Sequence, residues 1–244
     1  MRLSRLYLPA ELVEGETVRL DEDSGHYLRT VLRLKKGFAL TVFNGDGREF
    51  PATVESASRD GVFLSIGAPC IRETESPLHT YLGLGISRGE RMDFAIQKAV
   101  ELGVSRVTPL LTEHCVVRLD EEKKDMRRQH WQKVARSACE QSGRNRVPEI
   151  DEPVKLEDWL DQPTGLRLFF DPQGHLGLRD LPQPEDQRVT LLSGPEGGFA
   201  EKERGWAREA DFTPIRLGPR ILRTETAVLA ALAAVQVLWG DWGG

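Results

Sequence analysis

The chain has 244 residues with 33 Lys+Arg against 38 Asp+Glu, a net charge of −5, and it is 39% hydrophobic, so it has a sizeable core to bury and is not a disordered chain. Three cysteines, Cys70, Cys115 and Cys139, are an odd and sparse set that argues against a disulfide framework and for a reducing, cytoplasmic setting. There is no CxxC or HExxH metal spacing, the first residues lack the apolar run of a secretion signal, and no segment reaches the ~18 apolar residues of a membrane span.

Residues 18–20, 39–43, 50–56 and 61–66 are short, β-branched or aromatic stretches, each closed by turn chemistry, and predict strands. Asn44-Gly45-Asp46-Gly47 holds two consecutive hairpin signals. A helical stretch with His26, Leu28, Val31 and Leu32 interrupts these strands, and Arg29 and Arg33 lie four apart on it. Residues 1–72 therefore read as a small β-barrel-like module, and their ten Lys+Arg balance ten Asp+Glu. Residues 73–77 read as a linker.

Residues 78–244 alternate strand and helix, the pattern of an α/β domain with a largely parallel sheet. Strands are expected at 82–86, 106–111, 166–170, 189–193 and 213–217. Ser87 with Glu90 three residues on has the form of a capping box before a helix whose apolar stripe is Met92, Ala95, Ile96, Ala99 and Val100, with Gly103 at its end. Further helices are expected at 120–142, 200–210 and 225–239.

Four segments carry polar or glycine-rich chemistry at element ends. Leu192-Ser193-Gly194-Pro195-Glu196-Gly197-Gly198 brings a buried strand into a turn whose bare backbone lets a ligand approach a helix start, although an ordinary strand-to-helix turn has the same look. It is neither GxGxxG nor a P-loop. Leu217-Gly218-Pro219-Arg220-Ile221-Leu222-Arg223-Thr224-Glu225-Thr226 places two arginines beside an apolar helix that Thr224 or Thr226 could cap. Glu140-Gln141-Ser142-Gly143-Arg144 ends a helix in polar groups, within a stretch from Arg118 to Arg146 that carries nine Lys/Arg and five Asp/Glu. That stretch is either a solvated helix face or a phosphate-contacting edge. Arg88-Gly89-Glu90-Arg91 is again basic at a strand-to-helix junction, with Lys98 and Glu101 spaced as a surface pair.

Taken in order, these segments resemble a known family. RxxYLP at Arg5, Tyr7, Leu8 and Pro9 comes first, followed by HxLxxVLR from His26, FNGxGxE from Phe43 and RxxxxxxxQKAxELGV from Arg91. TPLxTExC from Thr108, ExSGR with a downstream VP, GPEGGF from Gly194 and LGxRILRTETA from Leu217 complete the set. The pattern is similar to the RsmE family of small-subunit ribosomal RNA uracil-N3 methyltransferases, of the SPOUT class. Tyr27 and His114 stand where that family more usually has His and Arg.

The resemblance implies a PUA-like β-barrel followed by an α/β domain with a SPOUT-type trefoil knot. It implies S-adenosylmethionine as methyl donor, a uridine of 16S ribosomal RNA in the small subunit as acceptor, and a homodimer with no metal and no membrane. The implied cofactor residues are Leu192, Gly194, Pro195, Glu196, Gly197 and Gly198 in one loop. In the other they are Leu217, Gly218, Ile221, Leu222, Arg223 and Thr226. Uracil N3 must lose its proton before it attacks a methyl group, so a base and a charge stabiliser are required. Glu196 and Glu225 are the candidates for the first role, Arg220 and Arg223 for the second. RNA contacts are expected from Arg5, Tyr7, Arg29 and Arg33 in the barrel, and from Arg88, Arg91, Gln141, Ser142 and Arg144 beyond it. Other readings are a methyltransferase acting on transfer RNA or another ribosomal site, or a non-enzymatic RNA-binding protein. The overall acidity does not exclude RNA, because a confined basic footprint suits an enzyme that must select one nucleotide.

Overall fold

The computed structural model describes residues 4–31, 35–58, 61–115 and 119–243. Arg33 and Arg118 therefore lie outside the described residues. The chain forms two compact units, one of residues 1–75 with 139–147, the other of residues 76–138 with 148–244. The first unit runs to residue 75 and takes up 139–147 again, a return that has no signature in composition.

The first unit is a six-stranded sheet. Its strands are β1 (Arg5–Tyr7), β2 (Thr17–Arg19), β3 (Ala39–Phe43), β4 (Arg48–Ser58), β5 (Gly61–Ile66) and β6 (Cys70–Ile71). The order is β1-β3-β4-β5-β2, with β6 on β4, and every pair except β1–β3 is antiparallel. Alternation explains the core: Phe50, Ala52 and Val54 of β4 point inward with Val62, Leu64 and Ile66 of β5, as the two-residue period of a strand requires. The Asn44–Gly47 turn closes the β3–β4 hairpin, with Gly45 and Gly47 both at positive φ. Helix α1 (Glu22–His26) runs on into a π-helical turn, Tyr27–Val31, and buries Leu28 against this core.

The second unit is a seven-stranded parallel sheet of β7 (His79–Gly85), β8 (Arg106–Leu111), β9 (Glu149–Ile150), β10 (Val154–Lys155), β11 (Leu166–Phe170), β12 (Arg188–Ser193) and β13 (Thr213–Ile215). Its order is β10-β8-β7-β12-β11-β13, with β9 on β8. Helices α2 (Glu90–Glu101), α3 (Glu121–Ser142), α4 (Leu156–Trp159), α5 (Glu201–Glu209) and α6 (Thr224–Trp239) connect or flank the strands. The central strands are buried almost throughout, which is why β7, β8 and β12 read as apolar runs rather than alternating ones. Two cap expectations are corrected. Helix α2 starts from Gly89, not Ser87, and α6 starts from Arg223 rather than a threonine; neither has a side-chain cap bond. None of the three cysteines is in a disulfide. Among the described residues no helix is long and apolar enough to cross a membrane, and no group of three His, Cys, Asp or Glu side chains could hold a metal ion.

Candidate functional site

The loops that follow β11, β12 and β13 enclose a cavity of ≈ 440 Å³ within the second unit. This is the size of a small-molecule site, and it lies at the carboxyl ends of parallel strands, where α/β sheets bind their ligands. Phe170, Asp171 and Pro172 contribute one wall and residues 193–199 a second. Residues 215–225 form the third, with Arg91 and Arg204 reaching in from α2 and α5.

Charged groups on its walls define its electrostatics. Glu196 Oε1 accepts the Arg88 backbone N–H at 3.0 Å and Arg91 Nη1–H at 3.2 Å. Burial works to raise the Glu196 carboxyl, but its own backbone N–H, that of Arg88 and the Arg91 charge outweigh it and hold the group below the usual carboxylate range. Asp171 is buried, with Arg204 and Arg208 each 3.4 Å from one of its oxygens. Glu225, in the first turn of α6, lines the cavity and has a buried Oε2 with no hydrogen-bond partner among the described residues. Arg220 and Arg223 line the same cavity and are exposed.

The expected residues divide clearly. Gly194, Pro195, Glu196, Gly198, Leu217, Gly218, Ile221, Leu222 and Arg223 all line the cavity. Leu192, Gly197 and Thr226 do not. Leu192 points into the core with Phe169 and Phe199, Gly197 faces His114, and Thr226 is an exposed residue of α6. In a strand or helix, neighbouring positions face different sides, so a continuous motif cannot supply every residue to one wall. Phe170, Asp171, Pro172 and Arg204 were not legible as site residues, because the loop after β11 carries no glycine motif and Arg204 is one of several charges on α5.

Residues beneath the 194–199 loop fix its position. Glu203 is buried, accepting the Ala200 N–H on Oε2 and the Glu113 N–H on Oε1, both at 2.8 Å. The Glu113 carboxylate pairs with Lys202. His114 Nδ1–H donates to the Gly197 carbonyl at 3.0 Å. The loop after β8 thus holds the loop after β12 at Gly197 and the start of α5 at Lys202 and Glu203. The only sequence signal was the spacing of Ala200 and Glu203, which resembles the acidic half of a helix-start capping box.

Residues 74–236 match the RNA methyltransferase domain family and residues 20–67 the RNA methyltransferase PUA domain family. Ribosomal RNA small subunit methyltransferase E of Buchnera aphidicola is 37% identical over 242 residues, covering 98% of both chains. The chain belongs to the ribosomal RNA small subunit methyltransferase E family. The Bacillus subtilis member of that name is 30% identical, with 95% of each chain covered. The methyltransferase E structure from Neisseria gonorrhoeae, bound to S-adenosyl methionine, aligns with a TM-score of 0.92 at 39% identity, over 99% of this chain and 100% of that one. A Legionella pneumophila protein solved with bound SAM aligns at 0.95 and 41% identity, with the same coverage. In this methyltransferase E family member every cavity-lining residue falls inside the methyltransferase domain match.

The residues expected to meet RNA fare unequally. Arg5 is almost fully buried; it bonds Glu49 at 2.5 Å and Asn145 Oδ1 at 2.6 Å, and its guanidinium stacks over Phe43. Arg144 is likewise buried and pairs with Glu75 at 2.5 Å. Both therefore bond inside the first unit, tying residues 139–147 to β1 and to Glu75, and their side chains are largely withdrawn from solvent. Tyr7 packs edge-on against Phe43, and its backbone N–H donates to Glu140 at 2.9 Å; burial raises that carboxyl, against the opposing effects of the Tyr7 N–H and Arg5. Ser142 is half-buried. Arg29 is half-buried and donates to the Gly25 and Ser58 carbonyls. Arg88, Arg91 and Gln141 are exposed.

Proposed function

We propose that the protein methylates N3 of one uridine in the 16S RNA of the small ribosomal subunit, giving 3-methyluridine. As a member of its family it is an S-adenosylmethionine-dependent ribosomal RNA methyltransferase. The observation that carries the finer reading is the cavity between the two glycine loops, lined by a glutamate whose buried oxygen has no partner among the described residues and by two exposed arginines.

The residues present fit the cofactor. Gly198 and Gly218 take φ of +68° and +81°, and an added Cβ at either would meet nothing within 4 Å. Their backbones therefore border open space in a conformation that other residues disfavour. The loops of Gly194–Gly198 and Leu217–Arg223 would hold the cofactor. When bound, it supplies an electrophilic methyl group on a positively charged sulfur.

The chain's own groups then divide the work. Glu225 Oε2 takes the N3 proton, since Glu225 lines the cavity and no hydrogen bond to a described residue occupies that oxygen. Glu196 is unsuited to that task, because Arg88 and Arg91 stabilise its ionised form and so lower its basicity; it holds the loop instead. Arg220 and Arg223 place positive charge against the uracil oxygens as the ring becomes anionic. Arg88, Arg91 and Gln141 are the exposed groups available to RNA, and the target base must leave its stack to reach the cavity.

The trefoil knot of the SPOUT class, a homodimer and a cytoplasmic setting belong to the same proposal. The parallel sheet with both loops at the carboxyl ends of its strands supports the first. Val237, Leu238 and Trp242, exposed at the end of α6 and just beyond it, support a second copy packing there. The test is to incubate the protein with labelled S-adenosylmethionine and either naked 16S RNA or unmodified small subunits, then identify the labelled nucleoside. Labelled 3-methyluridine in 16S RNA is expected; label in transfer RNA alone, or none, overturns the reading.

A further inference from the structure

A second, small pocket in the same unit is lined by residues whose donors have no partner among the described residues. It is bounded by Ile86, Ser87, Gly89, Met92, Arg127 and Trp131, among others, and its ≈ 20 Å³ admits one water-sized atom. Ser87 and Trp131 are each more than nine-tenths buried, and Ser87 Oγ and Trp131 Nε1 have no hydrogen-bond partner among the described residues. An indole N–H only donates, and a buried donor left unmatched costs about 1–3 kcal/mol. The pocket also abuts the start of α2, whose N-cap Gly89 offers no side chain to the first-turn amides. Ser87, which the sequence suggested as that cap, stands two residues too early to serve and lines the pocket instead.

Each polar group around the pocket can donate. Residues carrying a hydroxyl, an indole N–H and an exposed guanidinium, with the start of a 12-residue helix, line a space for a single oxygen. Opposing charge is limited, since Asp93 of the same first turn is occupied by His130 at 2.8 Å and Glu90 is exposed. We infer that this pocket is a phosphate-group site that takes one oxygen of a phosphate and leaves the rest at its mouth beside Arg127.

The segment 87–91 links it to the larger cavity. Ser87 and Gly89 line the small pocket, whereas the Arg88 N–H and Arg91 hold Glu196 of the glycine loop. A phosphate seated on Ser87 therefore lies on the strand-to-helix turn that also fixes the cofactor loop. Resting on the RNA methyltransferase reading, the inference assigns the group to a backbone phosphodiester of the substrate RNA; free phosphate has the same chemistry.

The experiment follows the Trp131 indole N–H in ¹⁵N–¹H spectra of the full chain, its peak assigned by Trp131→Phe. The protein is titrated with inorganic phosphate in one arm and a uridine-containing single-stranded oligoribonucleotide in another. The inference predicts a saturable shift of this peak in both arms. Ser87→Ala should weaken both titrations about tenfold, and Arg127→Gln should lower the salt slope of RNA binding by about one. Cofactor affinity, measured alongside, should stay unchanged in Ser87→Ala. A shift with phosphate alone overturns the RNA assignment, and no shift in either arm overturns the site. The phosphate arm is independent of methyl transfer, so failure of the site and failure of the enzymatic reading are told apart.

Discussion

Glu196 Oε1 lies 3.2 Å from Arg91 Nη1, so the first turn of α2 is ion-paired to the glycine loop that walls the cavity. The same oxygen takes the Arg88 N–H, and loop geometry is thereby coupled to the ionisation of one carboxyl. A carboxyl whose folded pKa is depressed stabilises the fold fully above its unfolded pKa, about 4.3 for Glu, and loses that contribution as pH falls through the folded value. Glu196→Gln should lower the melting temperature by about 1–3 °C at pH 7, as expected for a partly exposed pair. The difference from wild type should shrink toward zero as the pH is taken below 4. A difference independent of pH would show that the charge is irrelevant.

Glu225→Gln keeps the shape of the side chain and removes its ability to accept a proton. The maximal rate should fall about 10²–10⁴-fold, the usual contribution of a general base, with cofactor affinity changed less than about threefold. Single-turnover transfer of labelled methyl to RNA, with calorimetry of cofactor binding, separates the two quantities. An undiminished rate would remove Glu225 from the mechanism.

Gly85 ends β7 directly beneath the cavity loop, and an added Cβ there would collide with the Pro195 backbone nitrogen. The neighbour is backbone, so it cannot swing aside as a side chain would. Gly85→Ala should cost about 1–3 kcal/mol through overpacking and weaken cofactor binding at least about tenfold, because the 194–199 loop must move. Thermal unfolding and calorimetry read the two effects. Gly198→Ala meets no atom and should cost only the roughly 1–2 kcal/mol of a non-glycine residue at positive φ.

Arg144 is buried against Glu75 with bonds of 3.1 Å from Nε and 2.5 Å from Nη2. Arg144→Ala leaves the carboxylate uncompensated and should lower stability by about 3–5 kcal/mol. Arg144→Lys should rescue little, since an ammonium cannot reproduce the two-pronged geometry. Denaturant unfolding of both variants tests this. A loss of RNA affinity with unaltered stability would return Arg144 to the RNA-contact set.

Much of the architecture was legible because it is local. Strands at 39–43, 61–66, 106–111 and 166–170 have the bounds expected from their β-branched and apolar runs. Helices α2, α3, α5 and α6 lie within one or two residues of their expected ends. The two-residue strands β9 and β10 and the short helix α4 were not seen, since two residues carry no periodicity and depend on pairing to β8 for their existence. Of the site, the two glycine loops were evident from their motifs. The wall after β11 and the Glu203 clamp were not, because their residues become neighbours only through the sheet order.

The sequence by itself determined the parallel α/β pattern, the family and the two loops of the cavity. These follow from residue types and short spacings, which folding does not alter. Tertiary structure alone decided which of those residues line the cavity, which carboxylate is tied down and which has an oxygen with no partner among the described residues. It also decided that Arg5 and Arg144 are internal. An arginine's role depends on whether a carboxylate such as Glu49 or Glu75, tens of residues away, arrives beside it out of water. The opening charge count gains its meaning in the same way. Of the basic residues expected to meet RNA, the fold turns two inward and leaves Arg88 and Arg91 exposed, beside the loop that walls the cavity.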